Sequence, residues 1–344
     1  MIFGLVLGAL VAWALTGVLR QYALKRNVLD IPNARSSHTR PTPRGGGVAF
    51  VLVFTVFAAI STALPITTPP GTWALISASL IVAITGFIDD HHPLPARWRL
   101  IGHTACAGIL LWSFGGIPPL TAFGYPIDFG MAGGVLGLLY IVWLLNLYNF
   151  MDGIDGLAAA QTLCVALGGA ALYSVLGHTQ LIWLPLLLAG SVTGFLIWNF
   201  PPAKIFMGDA GSGFLGLTLA AFSLRAGHID PNLFYCWLIL SGVFICDATL
   251  TLLRRLLNGE KVYQAHRSHA YQYASRRFAS HKTVTLSVIA INLLWLFPLA
   301  LLTALRLIDG TIALVVAYAP LIALAWAFSA GKPEAHPDTP PSNS

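Results

Sequence analysis

Residues 180–198 read QLIWLPLLLAGSVTGFLIW, a stretch without a single charged side chain. A helix of roughly 20 mostly apolar residues crosses the hydrocarbon core of a bilayer, so this stretch is typical of a transmembrane helix. Similar runs recur along the whole chain and predict an all-α polytopic membrane protein with eleven spans. They lie at 2–22, 47–65, 71–88, 100–117, 132–149, 157–175, 180–198, 211–225, 233–256, 284–303 and 311–329.

The composition agrees with this class. Of 344 residues, 56% are hydrophobic and 9% are charged, and the mean hydropathy is +0.75. These values exclude soluble enzyme folds. The net charge of +6 is typical of the basic loops that set membrane topology and contact anionic lipid, so nucleic acid is not an expected partner. The four cysteines fall inside apolar runs without metal-ligand spacing, which predicts no disulfide framework.

The basic residues predict the orientation of the chain, because cytoplasmic loops carry an excess of Lys and Arg. With eleven spans and a periplasmic N-terminus, 17 of the 19 Lys and Arg residues are cytoplasmic, and only Arg225 and Arg306 are not. Omitting the short, glycine-rich span 211–225 changes that division to 11 and 8. We therefore predict eleven spans in one transmembrane domain, residues 1–330, followed by a disordered cytoplasmic tail, residues 331–344.

In this topology, three separate loops bring aspartates to the cytoplasmic face. Carboxylates at the membrane edge are costly and usually functional, and several together suit a divalent cation and a phosphate-bearing substrate. One more acid, Asp247, lies inside the ninth span and either pairs with a buried cation or lines the site. The aspartates of the three loops are Asp89, Asp90, Asp152, Asp155 and Asp209.

Two of these acidic loops follow the ends of apolar runs. Residues 86–92 read GFIDDHH, where one carboxylate can orient a cation while the other takes a proton. A solubilising pair is the alternative, but the helix dipole disfavours anions at this end. Residues 146–157 read NLYNFMDGIDGL, with Asn146, Asn149 and Asp152 on one helical face. A calcium loop would need more oxygen ligands than this segment supplies.

The third acidic loop, residues 198–213, reads WNFPPAKIFMGDAGSG. Asp209 stands at the start of a predicted helix, whose N-terminal amides favour anions, so a cation on Asp209 could be shared with a diphosphate. A simple N-cap is the alternative role. Phe206 either stacks on a nucleobase or packs against lipid.

Two basic loops complete the set. Residues 35–47 read RSSHTRPTPRGGG and include Arg44, and residues 264–271 read QAHRSHAY. Arginine offers forked donors to phosphate, and glycine lets backbone amides approach an anion. Topology alone also explains both loops, so each is open between an anion site and an orientation signal.

Taken together and in this order, the five loops resemble the polyprenyl-phosphate N-acetylhexosamine-1-phosphate transferase family, which contains phospho-MurNAc-pentapeptide translocase and undecaprenyl-phosphate GlcNAc-1-phosphate transferase. The strongest carriers are N-x-x-N-x-x-D-G-x-D-G at 146–156 and F-M-G-D-x-G-S at 206–212. The R-S-S-H and H-R-S-H variants are most similar to members that begin O-antigen or other surface-polysaccharide repeats. The resemblance implies a Mg²⁺-dependent enzyme, with Mn²⁺ as a possible substitute, in the bacterial inner membrane.

In the implied reaction, undecaprenyl phosphate attacks the β-phosphate of a UDP-HexNAc, giving undecaprenyl-diphosphate-HexNAc and UMP. The partners are thus the UDP-sugar, the lipid acceptor and membrane lipid, and a homodimer is left open. Two departures weaken the match: Pro93 replaces a third acid, and the histidines do not form a contiguous cluster. The implied site comprises catalytic Asp89, Asp90 and Asp152, metal ligands Asp209 and Asn149, uridine-binding Asp155, Asn199 and Phe206, and phosphate-binding Arg44, His266, Arg267 and His269.

Two other functions compete with this interpretation. A secondary transporter also has many spans and membrane acids, but it typically binds at the midplane between internal repeats, and no repeat is evident here. A polyprenyl-diphosphate phosphatase would share Mg²⁺ and lipid but would need no nucleobase site. No motif specifies whether the sugar is GlcNAc, GalNAc, QuiNAc or FucNAc.

Overall fold

A computed structural model describes residues 2–32, 37–64, 69–92, 94–261 and 266–332. Within these ranges the chain is mostly helical, and a short π-helical segment, Asn292–Leu296, joins α12 to α13. The helices are α1 (Ile2–Lys25), α2 (Gly47–Ala63), α3 (Thr72–His91), α4 (Ala96–Phe114), α5 (Ala132–Met151), α6 (Leu157–Val175), α7 (Thr179–Asn199), α8 (Asp209–Ile229), α9 (Pro231–Leu240), α10 (Gly242–Leu257), α11 (Ala270–Phe278), α12 (His281–Ile291), α13 (Phe297–Ala304) and α14 (Gly310–Ala327).

The helices bear out a polytopic membrane protein. In the described part of the chain, 7 helical segments are long and apolar enough to cross a membrane, and the α9–α10 pair raises this to 8 if it forms one span. Helix α2 is apolar but shorter, with 17 residues. Each predicted span falls on a helix or on a broken helix. The polytopic helical class is therefore confirmed, whereas the count of eleven and the orientation stay predictions.

The span predicted at 233–256 is broken into two helices. Helices α9 and α10 meet at Ser241 with a bend of 71°. Ser-Gly pairs are common sites of sharp helix bends. Here Gly242 also packs so closely on Tyr318 that a Cβ atom would lie 3.0 Å from a ring carbon. The apolar run is therefore continuous in sequence, but the helix is not.

Helix α8 is the buried helix that positions the acidic loops. It packs against α3 and α5, and most of its residues are buried. Small residues let neighbouring helix backbones approach. A Cβ atom on Gly216 would lie 2.5 Å from the carbonyl oxygen of Leu144 in α5, and one on Gly86 of α3 would lie 2.5 Å from the backbone of Asp209. Gly86 therefore lets the end of α3 meet the start of α8.

The all-α prediction omits two short antiparallel hairpins. The segment after the first hairpin runs beside the segment before α8, since the Phe206 N–H donates to the Pro43 carbonyl at 2.8 Å and the Gly46 N–H donates to the Phe206 carbonyl at 2.9 Å. This pairing carries Arg44 to the start of α8. The strands are β1 (Leu29–Asp30) with β2 (Thr42–Pro43), and β3 (Leu120–Ala122) with β4 (Tyr125–Ile127).

The core and the C-terminus complete the fold. One buried apolar cluster extends from Phe50 in α2 to Leu321 in α14. The single domain predicted for residues 1–330 stays a prediction. Of the predicted tail, Gly331 donates its backbone N–H to the Ser268 carbonyl at 2.7 Å, and residues 333–344 lie outside the described residues.

Candidate active site

Three aspartates meet where α3 ends and α8 begins. The Asp90 carboxylate accepts hydrogen bonds from two backbone N–H groups at the start of α8, at 3.0 and 3.4 Å. Asp89 instead accepts the Leu94 N–H at 2.6 Å, so the two neighbouring carboxylates serve different partners. Gly208 holds the N-cap position of α8 without a side-chain hydrogen bond. Asp209 therefore does not cap α8. Asp90, which lies in α3, accepts the hydrogen bonds of the α8 N-terminus instead.

Two arginines bridge the three acids. Arg44 Nη2 lies 2.5 Å from Asp90 Oδ1 and 3.5 Å from Asp209 Oδ1. Arg99 Nη1 lies 2.5 Å from Asp89 Oδ2 and 3.4 Å from Asp209 Oδ2. Asp209 is thus shared by both arginines and its side chain keeps 25% exposure. In the sequence Arg99 counts only toward topology, although its position ten residues after Asp89 indicates that it can reach the acidic pair.

Asp152 and Asn149 approach this cluster from α5. Asn149, in the last turn of α5, donates from Nδ2 to Ser212 Oγ in α8 at 3.1 Å. Asp152 follows the last residue of α5. Burial, together with the negative charges of Asp209 and Asp90, raises the pKa of Asp152 well above its usual value. Asp152 therefore lies within electrostatic reach of the acid cluster and holds a proton more readily than an exposed aspartate.

The cluster fits a hard divalent cation that shares its ligands with a substrate. Mg²⁺ prefers oxygen ligands and is typically held by one or two carboxylates plus phosphate oxygens and water. Asp209 and Asn149 line the same pocket and would offer a carboxylate and an amide oxygen. In the described residues, no group of three His, Cys, Asp or Glu side chains forms a protein-only metal site. A Mg²⁺ ion held by Asp209 and Asn149 would take its further oxygen ligands from substrate phosphates and water.

A cavity of about 230 Å³ adjoins these acids. The lining of this cavity comes both from the acid cluster and from the predicted uridine site. A larger basic cavity of about 730 Å³ shares His38, Asp155 and Phe206 with it. The lining of the smaller cavity includes Arg44, Asp152 and Asp209 from the acid cluster and Asp155, Asn199 and Phe206 from the predicted uridine site.

Another, smaller pocket of about 40 Å³ lies between α3, α4, α5 and the start of α8. Its lining includes Asp89, Arg99 and His103, together with Asn149. Asp209 lines this pocket as well as the 230 Å³ cavity. Two separate spaces therefore converge on one carboxylate.

The three predicted uridine residues have different environments. Asn199 is buried, and its amide holds both neighbouring loops: Oδ1 accepts the Gly156 N–H at 3.0 Å, and Nδ2 donates to the Ile205 carbonyl at 2.9 Å. Phe206 and His38 pack edge to face at a centroid distance of 4.8 Å. Asp155 accepts the Ala203 N–H on Oδ2 at 2.9 Å. Asn199 thus shapes the cavity, whereas Phe206 and Asp155 present a ring and a carboxylate to it.

Two effects act on the pKa of Asp155 in opposite directions. Burial is the larger single effect, and the hydrogen bonds to Asp155 oppose it. Burial disfavours the ionised carboxylate, but hydrogen bonds from His281 and from the Ala203 backbone favour it. The hydrogen bonds prevail, so the pKa of Asp155 lies below its usual value. The cavity therefore contains a fixed negative charge at this position.

The histidine loop is anchored by Asp247, which resolves the open role of that acid. Asp247 accepts the backbone N–H groups of Ala270 (2.9 Å) and Tyr271 (3.0 Å) at the start of α11. His269 is buried, with Nδ1 3.3 Å from Asp247 Oδ1. The Tyr271 hydroxyl donates to the Phe150 carbonyl at 2.9 Å and ties the loop to the end of α5. Asp247 is thus a helix anchor in this structure.

The predicted phosphate-binding residues of this loop do not line the 230 Å³ cavity, although Gln272 of α11 does. His266 stacks on His269 at a centroid distance of 4.9 Å, and its Nδ1 lies 2.9 Å from the Ser268 hydroxyl. Burial and the neighbouring His269 and Arg255 lower the pKa of His266 to about 3, so it is neutral at pH 7. Phosphate contact by His266, Arg267 and His269 stays a prediction.

The fold and the site define a polytopic membrane protein with a cluster of aspartates and arginines at the helix ends. The model of Glycosyl transferase family 4 matches residues 72–227. A Bacillus subtilis protein described as a probable undecaprenyl-phosphate N-acetylglucosaminyl 1-phosphate transferase is 31% identical over 289 residues, covering 82% of this chain and 79% of that protein. The chain belongs to this family of polyprenyl-phosphate N-acetylhexosamine-1-phosphate transferases.

Two further relatives show the breadth of the family. A Thermotoga maritima undecaprenyl-phosphate alpha-N-acetylglucosaminyl 1-phosphate transferase is 29% identical over 283 residues, with 81% of this chain and 84% of that protein covered. A Moorella thermoacetica phospho-N-acetylmuramoyl-pentapeptide-transferase is 32% identical over 247 residues, with 66% and 74% covered. This chain is therefore similar to members with different named sugar substrates.

Proposed function

We propose that this protein transfers HexNAc-1-phosphate from a UDP-HexNAc to undecaprenyl phosphate. The acceptor phosphate oxygen bonds to the β-phosphorus of the donor, the bond from that phosphorus to the bridging oxygen breaks, and UMP leaves with that oxygen. The observation that carries the proposal is the position of Asp209, which lines both the 230 Å³ cavity and the 40 Å³ pocket. Two phosphate-bearing substrates entering from the two sides would meet at this carboxylate.

The donor occupies the 230 Å³ cavity in this proposal. Phe206 stacks on uracil and Asp155 accepts hydrogen bonds from the nucleoside, with Asn199 holding the two loops that carry them. Arg44 reaches toward Asp209 from the first loop and offers its guanidinium to the diphosphate. His266, Arg267 and His269 are proposed to add phosphate contacts from the loop before α11.

The acceptor phosphate enters from the 40 Å³ pocket. One of the pair Asp89 and Asp90 orients or deprotonates it, and Asp152 is the further acid of the reaction; of the pair, Asp89 lines this pocket. Asp209 and Asn149 would hold Mg²⁺, which neutralises the charge that builds between the attacking and leaving oxygens. Because the loops hold both substrates in place, positioning supplies much of the acceleration. Mn²⁺ is expected to substitute for Mg²⁺, since its ligand preferences are similar.

We further propose that the reaction begins an O-antigen or other surface-polysaccharide repeat in a bacterial inner membrane. The R-S-S-H and H-R-S-H sequence variants support this assignment over peptidoglycan synthesis. The same proposal includes eleven spans, a periplasmic N-terminus and a site on the cytoplasmic face. It also includes a homodimer, which a measurement of particle mass in detergent tests. Comparing UDP-GlcNAc, UDP-GalNAc, UDP-QuiNAc, UDP-FucNAc and UDP-MurNAc-pentapeptide as donors separates the pathways.

The decisive experiment measures UMP release by the purified, detergent-solubilised protein. We expect release from at least one UDP-HexNAc only when undecaprenyl phosphate and Mg²⁺ are both present. Release of inorganic phosphate from a polyprenyl diphosphate without nucleotide would favour the phosphatase. No UMP with any donor would overturn the proposal. The relatives are transferases by name, so neither the phosphatase nor the transporter is favoured.

A further inference from the structure

His281 contacts the predicted nucleotide site, although no motif contains it. It is the first residue of α12, and the preceding Ser280 caps that helix by accepting the Thr283 N–H at 3.1 Å. Its Nδ1 lies 3.2 Å from Asp155 Oδ1 and 3.4 Å from the Asp155 backbone nitrogen. The side chain lines both the 230 Å³ and the 730 Å³ cavities.

The other ring nitrogen of His281 contacts the first loop. Its Nε2 lies 3.0 Å from the carbonyl oxygen of Ser37. A carbonyl oxygen only accepts hydrogen bonds, so Nε2 is the donor in this contact. A ring that also donates from Nδ1 to Asp155 Oδ1 carries a proton on both nitrogens. One imidazole thus joins α12 to the loop before α6 and to the loop after α1.

The Asp155 carboxylate is held at both oxygens. His281 contacts Oδ1, and the Ala203 N–H donates to Oδ2 at 2.9 Å. One turn along α12, the Thr285 hydroxyl donates to the Asp155 backbone carbonyl at 2.9 Å. Carboxylate oxygens together offer about four acceptor positions, so this carboxylate is fixed in orientation and still able to accept hydrogen bonds from a ligand.

We propose that His281 is a positioning residue for the UDP-sugar donor, acting through Asp155. This inference rests on the proposed function, in which this cavity binds the nucleotide of the donor. Asp155 and His281 keep 13% and 19% side-chain exposure, which leaves both within reach of the cavities. Because His281 limits the orientations of Asp155, its loss weakens donor binding more than it slows the chemical step.

The test uses three His281 variants of the full-length protein and steady-state UMP release. His281→Ala is expected to raise KM for the UDP-sugar about tenfold, with kcat within about twofold and KM for undecaprenyl phosphate unchanged. Asparagine places an amide nitrogen near the Nδ1 position, whereas glutamine places one near Nε2. His281→Asn is therefore expected to restore most of the donor KM, and His281→Gln is not.

Thr285→Val provides the matched comparison, because it removes the backbone contact to Asp155 and leaves both carboxylate contacts. It is expected to lower the melting temperature without changing the donor KM. An unchanged donor KM in folded His281→Ala, or rescue by Gln instead of Asn, would overturn the inference. Absence of UMP release by the unmodified protein would instead overturn the proposed function, so the two failures are distinguishable.

Discussion

At the scale of single residues, the site is organised around Asp209. Two arginines and the end of α5 approach this carboxylate. Asp90, which lies beside Asp209 in space, accepts hydrogen bonds from the N-terminal backbone amides of α8. Because Asp90 already accepts hydrogen bonds from those backbone amides, the Asp209 carboxylate faces the two arginines instead. The chemistry of each acid is thus set by which partner it meets.

Asp209→Asn keeps the size of the side chain and removes its charge. We expect UMP release to fall at least about 100-fold, because the substitution removes the proposed carboxylate ligand of Mg²⁺. The measurement is UMP release across a Mg²⁺ titration. Asp128→Asn is the control, since Asp128 lies in the loop before α5 and accepts the Gly130 N–H. Full activity of Asp209→Asn would remove Asp209 from the metal site.

Arg99→Ala is expected to cost about 10- to 100-fold in kcat/KM for undecaprenyl phosphate. The variant leaves Asp89 without its arginine partner and removes the guanidinium group of Arg99 from the lining of the 40 Å³ pocket. Arg99→Lys should recover only part of the activity, because lysine lacks the forked donor geometry. Arg97→Ala is the matched control two positions earlier on α4, where the guanidinium lies over Trp98. Equal effects of both alanine variants would contradict a specific role for Arg99.

His266 makes stability depend on pH. Its pKa in the folded protein is about 3, against 6.5 in the unfolded chain. The unfolded state therefore binds the extra proton between these values, and stability falls as pH drops from about 6.5 toward 3. The melting temperature in detergent should decrease from pH 7.5 to pH 5, and His266→Gln should decrease less steeply. A parallel decrease in both proteins would show that His266 does not contribute.

At the scale of helices, close backbone contact and one helix break place the loops. Gly86 lets α3 touch α8 only three residues before Asp89. Asp90 then caps α8, so the C-terminal end of α3 contacts the N-terminal end of α8. The break between α9 and α10 changes the direction of the chain before α11, and Asp247 in α10 anchors the start of α11. Helix packing thus decides where the loop residues meet.

Gly86→Ala tests this helix contact. A Cβ atom there would lie 2.5 Å from the backbone of Asp209 and Ala210, so α3 must move away from α8. We expect a loss of about 1–3 kcal/mol in stability and a large loss of UMP release. Gly108→Ala is the control, because nothing lies within 4 Å of its Cβ position in α4. That variant should be neutral or slightly more stable, since alanine favours the helix.

At the scale of the whole molecule, topology decides whether the site faces the nucleotide pool. The basic residues predict that the loop containing Lys261 is cytoplasmic and that the loop containing Leu307 is periplasmic. Single cysteines at these positions, Lys261→Cys and Leu307→Cys in a cysteine-free chain, test the orientation. In right-side-out vesicles, a membrane-impermeant maleimide should label position 307 and not position 261. The reverse pattern would contradict the periplasmic N-terminus.

Much of the architecture followed from local sequence. Apolar runs, such as residues 180–198, predict helices at every position where the structure has a long one, because hydropathy over a span is a local property. The motifs also named the loops that meet around the 230 Å³ cavity, since each motif lies beside a span end. The bend at Ser241 and the two short hairpins did not follow, because they depend on packing against distant segments.

What the tertiary structure alone decided is the pairing of side chains. Arg44 and Arg99 meet Asp209 across 165 and 110 positions of sequence, and His281 meets Asp155 across 126. Local composition and spacing do not specify pairs separated by more than 100 positions, since a single residue contributes little to the pattern around it. Sequence determined the membrane fold and the chemical types at the site, because burial in lipid constrains whole segments. Packing between helices determined which carboxylate caps a helix, which meets an arginine and which is held for a ligand.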